Sequence, residues 1–304
     1  VKVHSPDRSS LTRFAWLSIA AALATIGLKA AAYLITGSVG LLSDALESIV
    51  NLVGSLMALA MLSVAARPPD ADHAYGHSKA EYFSSVVEGV LILVAAGSIG
   101  VTAVGRLVTP QPLEQIGLGL AVSIVAALVN LAVARVLLRV GKRHRSISLQ
   151  ANANHLLTDV WTTAGVVLGV GLVAVTGLQR IDPLVALVVA GNIVWTGIGI
   201  LRESVWGLMD TALPADEQRT LQNVLERHVQ AGVRYHSLRT RRSGARRFVS
   251  LHVLVPGAWT VEAGHQLLER MEADIQEALP ETVVLTHLEP GGAEQVREPD
   301  GRGL

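Results

Sequence analysis

The chain has 304 residues, of which 50% are hydrophobic and 16% charged, and its mean hydropathy is +0.44. A soluble domain carries more charge than this, so membrane spans are the first expectation. Lys plus Arg and Asp plus Glu each number 25, and cysteine is absent. That excludes a basic surface for nucleic acid, a disulfide framework and thiolate metal ligands, and leaves His, Asp, Glu, Asn and backbone oxygen as donors.

The polar start, Val1 to Thr12, lacks the charged head, short apolar core and small-residue cleavage site of a signal peptide, so the first span is expected to stay in the membrane. Six apolar segments follow, near Phe14–Thr36, Val39–Ala65, Glu81–Gly105, Ile116–Leu138, Ala151–Thr176 and Pro183–Trp206. Each is long enough for a helix to cross about 30 Å of hydrocarbon. The short turn at Gly37 and Ser38 makes the first two an antiparallel hairpin. Lys2, Arg8 and Arg13 precede span one, Arg67 and Lys79 lie in the second connection, and Arg139, Lys142, Arg143 and Arg145 crowd the fourth. The opposite connections hold only Arg106 and Arg180 near the spans. Positive charge is retained inside, so both termini are expected in the cytoplasm.

After Leu208–Pro214 the pattern turns soluble, with an expected helix from Ala215 to Gln230. Strands are expected at Tyr235–Arg242 and Arg247–Val255 around a Ser243-Gly244 turn, then an amphipathic helix at Val261–Ala278 and a third strand at Val283–Glu289. The expected organisation is a cytoplasmic segment 1–13, a six-helix membrane domain 14–210, a compact α+β domain 211–290, and a disordered tail 291–304.

Ionisable side chains at a span centre cost at least about 2.5 to 3.5 kcal/mol, so each requires a reason. Asp44, Glu47 and Asn51 share one face of span two, and His155 and Asp159 share one face of span five. The two helices run in opposite directions. At 1.5 Å per residue, Glu47 and Asn51 lie about 12 to 18 Å from the outer boundary, and His155 and Asp159 about 10 to 17 Å from the inner one. One imidazole, two carboxylates and one carboxamide thus meet near the midplane as a tetrahedral site for a borderline divalent cation. The plainer alternatives are structural hydrogen bonds between helices or a proton relay. Lys29 and Glu88 read as ion pairing or snorkelling near an interface.

The stretches GSVGLLSDALESIVN (Gly37–Asn51), HAYGHSKAE (His73–Glu81), ANANHLLTD (Ala151–Asp159) and LMDTALP (Leu208–Pro214) resemble motifs of the cation diffusion facilitator family. The likeness runs from about Phe14 to Pro290. It implies a homodimeric, proton-coupled exporter in the lipid bilayer, with six spans and a ferredoxin-like cytoplasmic domain similar to a metallochaperone. The family's transport site falls on Glu47, Asn51, His155 and Asp159. Zinc members carry Asp or His and then Asp in span two, so Glu47 and Asn51 depart from the pattern. Zinc is the first expectation for the cargo, with iron, manganese and cobalt open and protons as counter-ion.

Asp70, His73 and His77 place three donors within eight residues, a metal clip that matches the family's small interfacial site; a solvated polar loop is the alternative. Lys79 and Asp210 resemble the family's charge interlock between the two domains. His236, His252, His265, His287 and Glu289 form a third constellation on the predicted strands and second helix, expected to gather metal ions at a sheet edge, where the family often has Asp in place of Glu289. The expected function is metal/proton antiport across a bacterial inner membrane, with metal on the cytoplasmic domain as regulator. A membrane-anchored metal sensor or scaffold without transport is the second reading, and an enzyme is not expected.

Overall fold

The computed structural model describes residues 9–36, 39–109, 117–178, 180–229 and 232–291. The expected turn at Gly37 and Ser38, the residues before Ser9 and those after Gly291 lie outside the described residues. The chain divides into two compact units, 7–206 and the residues from Gly207 onward.

The first unit is built from α1 (Ser9–Thr36), α2 (Val39–Ala65), α3 (Ala80–Val108), α4 (Leu118–Arg143), α5 (Ile147–Thr176) and α6 (Ile181–Leu208). The helices have 26 to 30 residues, about 40 to 45 Å each, which exceeds the hydrocarbon thickness. Five pass by length and apolarity as membrane spans, and in α2 the described apolar stretch is Asn51–Ala65. Several helices run past their apolar segments. α4 continues through Arg139 and Arg143, since Lys and Arg are good helix formers once the chain is in water. α5 starts at Ile147, where Ser146 accepts a bond from the Leu149 amide at 3.4 Å as N-cap.

α1 packs on α2 and α4, and α5 packs on α2, α3 and α4. Leu62 of α2, Leu137 of α4, and Leu149 and Leu156 of α5 close on Leu11 of α1. α6 approaches α3 through missing side chains. A Cβ on Gly89 would meet Leu201 at 2.9 Å, and one on Gly197 would meet Leu93 at 2.8 Å, so small residues set this close packing. At the start of α3, the fully buried Glu81 accepts from Ser146 Oγ at 2.5 Å and from the Ser148 amide at 3.4 Å. A carboxylate at the N-terminus of α5 satisfies orphan donors and the helix dipole together. Many outward side chains are apolar and exposed, among them Leu34, Val101, Val188 and Trp195, as lipid contact requires.

The second unit runs α7 (Ala215–His228), β1 (Arg234–Ser243), β2 (Arg246–Pro256), α8 (Val261–Ala278), β3 (Thr282–Gly291). β1 and β2 form an antiparallel hairpin, and β3 joins β2 in parallel through the α8 crossover. Thr260 caps α8 by accepting from the Ala263 amide at 3.2 Å. Alternate residues of β2, Val249, Leu251, Val253 and Val255, face inward onto Leu221 and Leu225 of α7 and Leu267, Met271 and Ile275 of α8. The sheet's other face is therefore left to Ser250, His252 and Leu254.

One charge is buried beside this core. Arg247 is 3% exposed and donates to both oxygens of Glu217, at 2.8 and 2.9 Å, and to the Pro280 carbonyl. Removing one partner strands the other in a medium of low dielectric. Glu217→Ala is expected to lower the stability of the segment from Gly207 onward by about 3 to 5 kcal/mol, read as the shift of its urea unfolding midpoint; an unchanged midpoint would contradict this.

Candidate metal sites

Three helices of the membrane unit converge on Asp159. Asn51 Nδ2 of α2 donates to Asp159 Oδ2 at 2.5 Å, and Asn130 Nδ2 of α4 donates to the same oxygen at 2.9 Å. Asn51 is 3% and His155 5% exposed, so water does not answer their polar groups. His155 lies one turn before Asp159 on α5. Its Nδ1 is 2.9 Å from Glu88 Oε2 of α3. The structure thus brings together Asn51 and Asp159 from two spans, as the spacing predicts. The side chains of Asp44 and Glu47 lie outside the described residues.

Of the two readings of Glu88, ion pairing or snorkelling near an interface, the structure favours the first: the side chain is 1% exposed and its Oε2 faces His155. α3 begins at Ala80, so position 88 lies about two turns inside the helix. Lys29 is buried too, with Nζ donating to Ser48 Oγ at 2.9 Å. A second network, Ser18 Oγ to Ser55 Oγ at 2.8 Å and to Asn152 Oδ1 at 2.9 Å, ties α1, α2 and α5 below the same faces. Asn130 was missed in the sequence, though an amide inside the apolar run Ile124–Val133 was a usable signal.

In the connection between α2 and α3, Asp70 gathers both expected imidazoles. His73 Nδ1 is 3.2 Å from Oδ1 and His77 Nε2 is 3.3 Å from Oδ2. One donor atom from each residue lies within 4.8 Å of the others. The His73 backbone amide donates to Asp70 Oδ1 at 2.7 Å. This bond, with the His73 and His77 rings beside it, holds the carboxyl below its ordinary value.

In the second unit the register makes the site. His236 of β1 pairs with His252 of β2, which pairs with His287 of β3, so three imidazoles form one row across the face opposite the core. Their rings lie 5.1 and 5.0 Å apart in sequence along the row. Glu289, two residues beyond His287 and on the same face, reaches back into the row. It meets His236 Nε2 at 2.9 Å, His252 Nδ1 at 2.8 Å and His287 Nε2 at 3.7 Å. Donor atoms of His236, His252 and Glu289 all lie within 4.8 Å of one another. His236 Nε2 is hydrogen-bonded to Glu289 Oε2, and His252 Nδ1 lies close to the other oxygen of the same carboxylate. Two imidazoles and a carboxylate so arranged fit a zinc-type ion. The hydrogen bond from His236 lowers the Glu289 pKa, with the neighbouring His252 adding to it. Next to His236, Ser237 takes a φ of 52° at an irregularity in the β1–β2 pairing.

His265 is not gathered with the others. It lies 68% exposed on α8, 3.4 Å from Glu269 of the same helix. Asp210 accepts from Arg241 Nη1 at 3.0 Å within the second unit, a contact of the expected interlock residue that the sequence did not suggest.

Residues 15–209 match the family described as Cation efflux transmembrane domain, and residues 213–291 match Cation efflux protein, cytoplasmic domain. The chain is 53% identical over 277 residues to the uncharacterized transporter sll1263 of Synechocystis sp., covering 91% of this chain and 89% of that one. It is 32% identical over 288 residues to the cation-efflux pump FieF of Serratia proteamaculans, covering 94% and 95%. A solved structure of CzrB shows 32% identity over 26% of this chain and 99% of its own, with a TM-score of 0.25. The two family matches together span the spans, the loop and the histidine row just described, and the chain belongs to the cation efflux, or cation diffusion facilitator, family: a multi-pass membrane transporter of cations with a C-terminal cytoplasmic domain.

Proposed function

We propose that the protein exports a divalent transition metal in exchange for protons, by alternating access across the inner membrane, as a homodimer with both termini in the cytoplasm. The observation that supports this most is the meeting of Asn51, Asn130 and Asp159, with His155 one turn away, in a bundle whose outer surface is apolar. Polar groups that expensive at that depth are expected on an ion path. Glu47, Asn51, His155 and Asp159 are the transport ligands in this reading, with Asp44 as a further candidate. Residues 14–210 form the translocating domain and 211–290 the metal-binding one.

Cargo loading requires His155 and the carboxylates to be deprotonated, so each ion that binds expels protons. Protons arriving from the other side then compete for the same atoms and release the cargo, and rocking of the helices exposes the site to each side in turn. Imidazole and carboxylate donors favour zinc, while the amide of Asn51 is a weak zinc ligand and admits iron, manganese or cobalt. Asp70, His73 and His77 form a second, loop-borne metal site. His236, His252, His287 and Glu289 form the regulatory one. Lys79 and Asp210 act as the interlock between domains.

Metal uptake into reconstituted vesicles under an imposed pH gradient tests this. Wild-type protein is expected to take up one of zinc, iron, manganese or cobalt, and Asp159→Ala or His155→Ala to fall to the level of protein-free vesicles. Full uptake in either variant would sink the mechanism. No uptake of any metal by wild type, with metal still bound by the cytoplasmic domain, would favour a membrane-anchored sensor or scaffold.

Acidification gives a second test. Glu289 titrates below its ordinary value of 4.5, so its contribution to folding is complete above that value and disappears as the pH falls through the folded-state pKa. Metal-free wild-type cytoplasmic domain should lose stability on acidification below about pH 4.5 more steeply than Glu289→Gln, measured by denaturant unfolding across pH; parallel curves would contradict the pairing.

A further inference from the structure

The membrane unit holds a buried carboxylate near His155 that the transport set Glu47, Asn51, His155 and Asp159 does not include. Glu88 of α3 is 1% exposed, and neither of its oxygens has a hydrogen-bond partner among the described residues. A buried carboxylate in that condition is costly and calls for a positive partner.

Its surroundings point to one. Oε2 is 2.9 Å from His155 Nδ1, close but off the hydrogen-bonding axis. Two donors bound to one ion at ordinary lengths of about 2.0 to 2.2 Å stand roughly 3.0 to 3.6 Å apart, so the pair lies near the short end of the spacing of two ligands of a shared cation. The carboxylate is seated in a space that only glycine leaves open. A Cβ on Gly54 of α2 would lie 2.8 Å from both of its oxygens. Gly54 follows Asn51 by three residues and so shares its face of α2. Asn51 is also the position at which this chain has an uncharged amide where zinc members of the family carry Asp. Glu88 returns a negative charge to the site from a different helix.

We propose that Glu88 is a ligand of the transported cation, presented beside His155 from α3 and seated against Gly54. This rests on the transport reading above, and the experiment separates the two. Uptake kinetics are measured in reconstituted vesicles for whichever of zinc, iron, manganese or cobalt the wild-type dimer takes up best, with Asp159→Ala as control. Glu88→Gln keeps the shape of the side chain and removes its charge. It is expected to raise KM at least about tenfold, with Glu88→Asp falling between it and wild type. Gly54→Ala keeps the carboxylate but displaces it, and should raise KM in the same direction. A Glu88→Gln KM within about twofold of wild type, with Asp159→Ala inactive, overturns the role of Glu88 and leaves the transport site intact. Full uptake in Asp159→Ala removes the transport reading and this inference with it. If Glu88→Gln does not assemble as a dimer, Gly54→Ala decides by the same threshold.

Discussion

Inside an apolar bundle water does not answer a polar side chain, so amides, hydroxyls and carboxylates there turn to other helices or to their own backbone. The membrane unit is organised by that constraint. Asp159 draws Asn51 and Asn130 to itself, so α2, α4 and α5 meet at one oxygen. Ser18, Ser55 and Asn152 do the same for α1, α2 and α5. Glu81 joins the start of α3 to the start of α5 through two serines. Apolar packing alone would permit the helices to slide and rotate; these contacts fix which faces meet.

The cytoplasmic domain solves a different problem. Its sheet has one face covered by α7 and α8 and one left open, and strand alternation assigns Val249, Leu251, Val253 and Val255 to the first and His252 to the second. Because β1, β2 and β3 pair in register at His236, His252 and His287, the imidazoles need no special loop to bring them together. The same register that completes the core assembles the row, so core and candidate site stand or fall together. The buried Arg247–Glu217 pair, with its extra bond to the Pro280 carbonyl, holds the start of β2 to α7 and to the turn before β3.

Much of this was legible in the sequence, and the exceptions have physical reasons. The six spans follow from apolar length, and the hairpin from alternation around Ser243 and Gly244. The meeting of Asn51 with Asp159 follows from shared helix faces and depth. The partner of Glu88 was not legible because the position of a residue along its helix does not say which neighbour it faces, and only the packing of α3 on α5 turns it toward His155. Asn130 escaped because a neutral amide lacks the insertion cost that draws attention to a charge. His265 was expected to join the row, yet it lies about 100° around α8 from the stripe formed by Leu267, Leu268, Met271 and Ile275. Helix phase would have placed it on the exposed side.

β1 is held at both of its ends. Its His236 end belongs to the histidine row, while its other end holds residues 210–213: the Arg242 amide donates to the Thr211 carbonyl at 3.1 Å, Thr240 accepts from the Leu213 amide at 3.2 Å, and Arg241 donates to Asp210. Between them lie only a few residues of extended backbone, about 15 to 20 Å long, interrupted by the bulge at Ser237. Such a strand is stiff in tension and yields at its bulge. Whatever tightens the row therefore pulls on a short strut whose far end holds residues 210–213, with the bulge at Ser237 between the two.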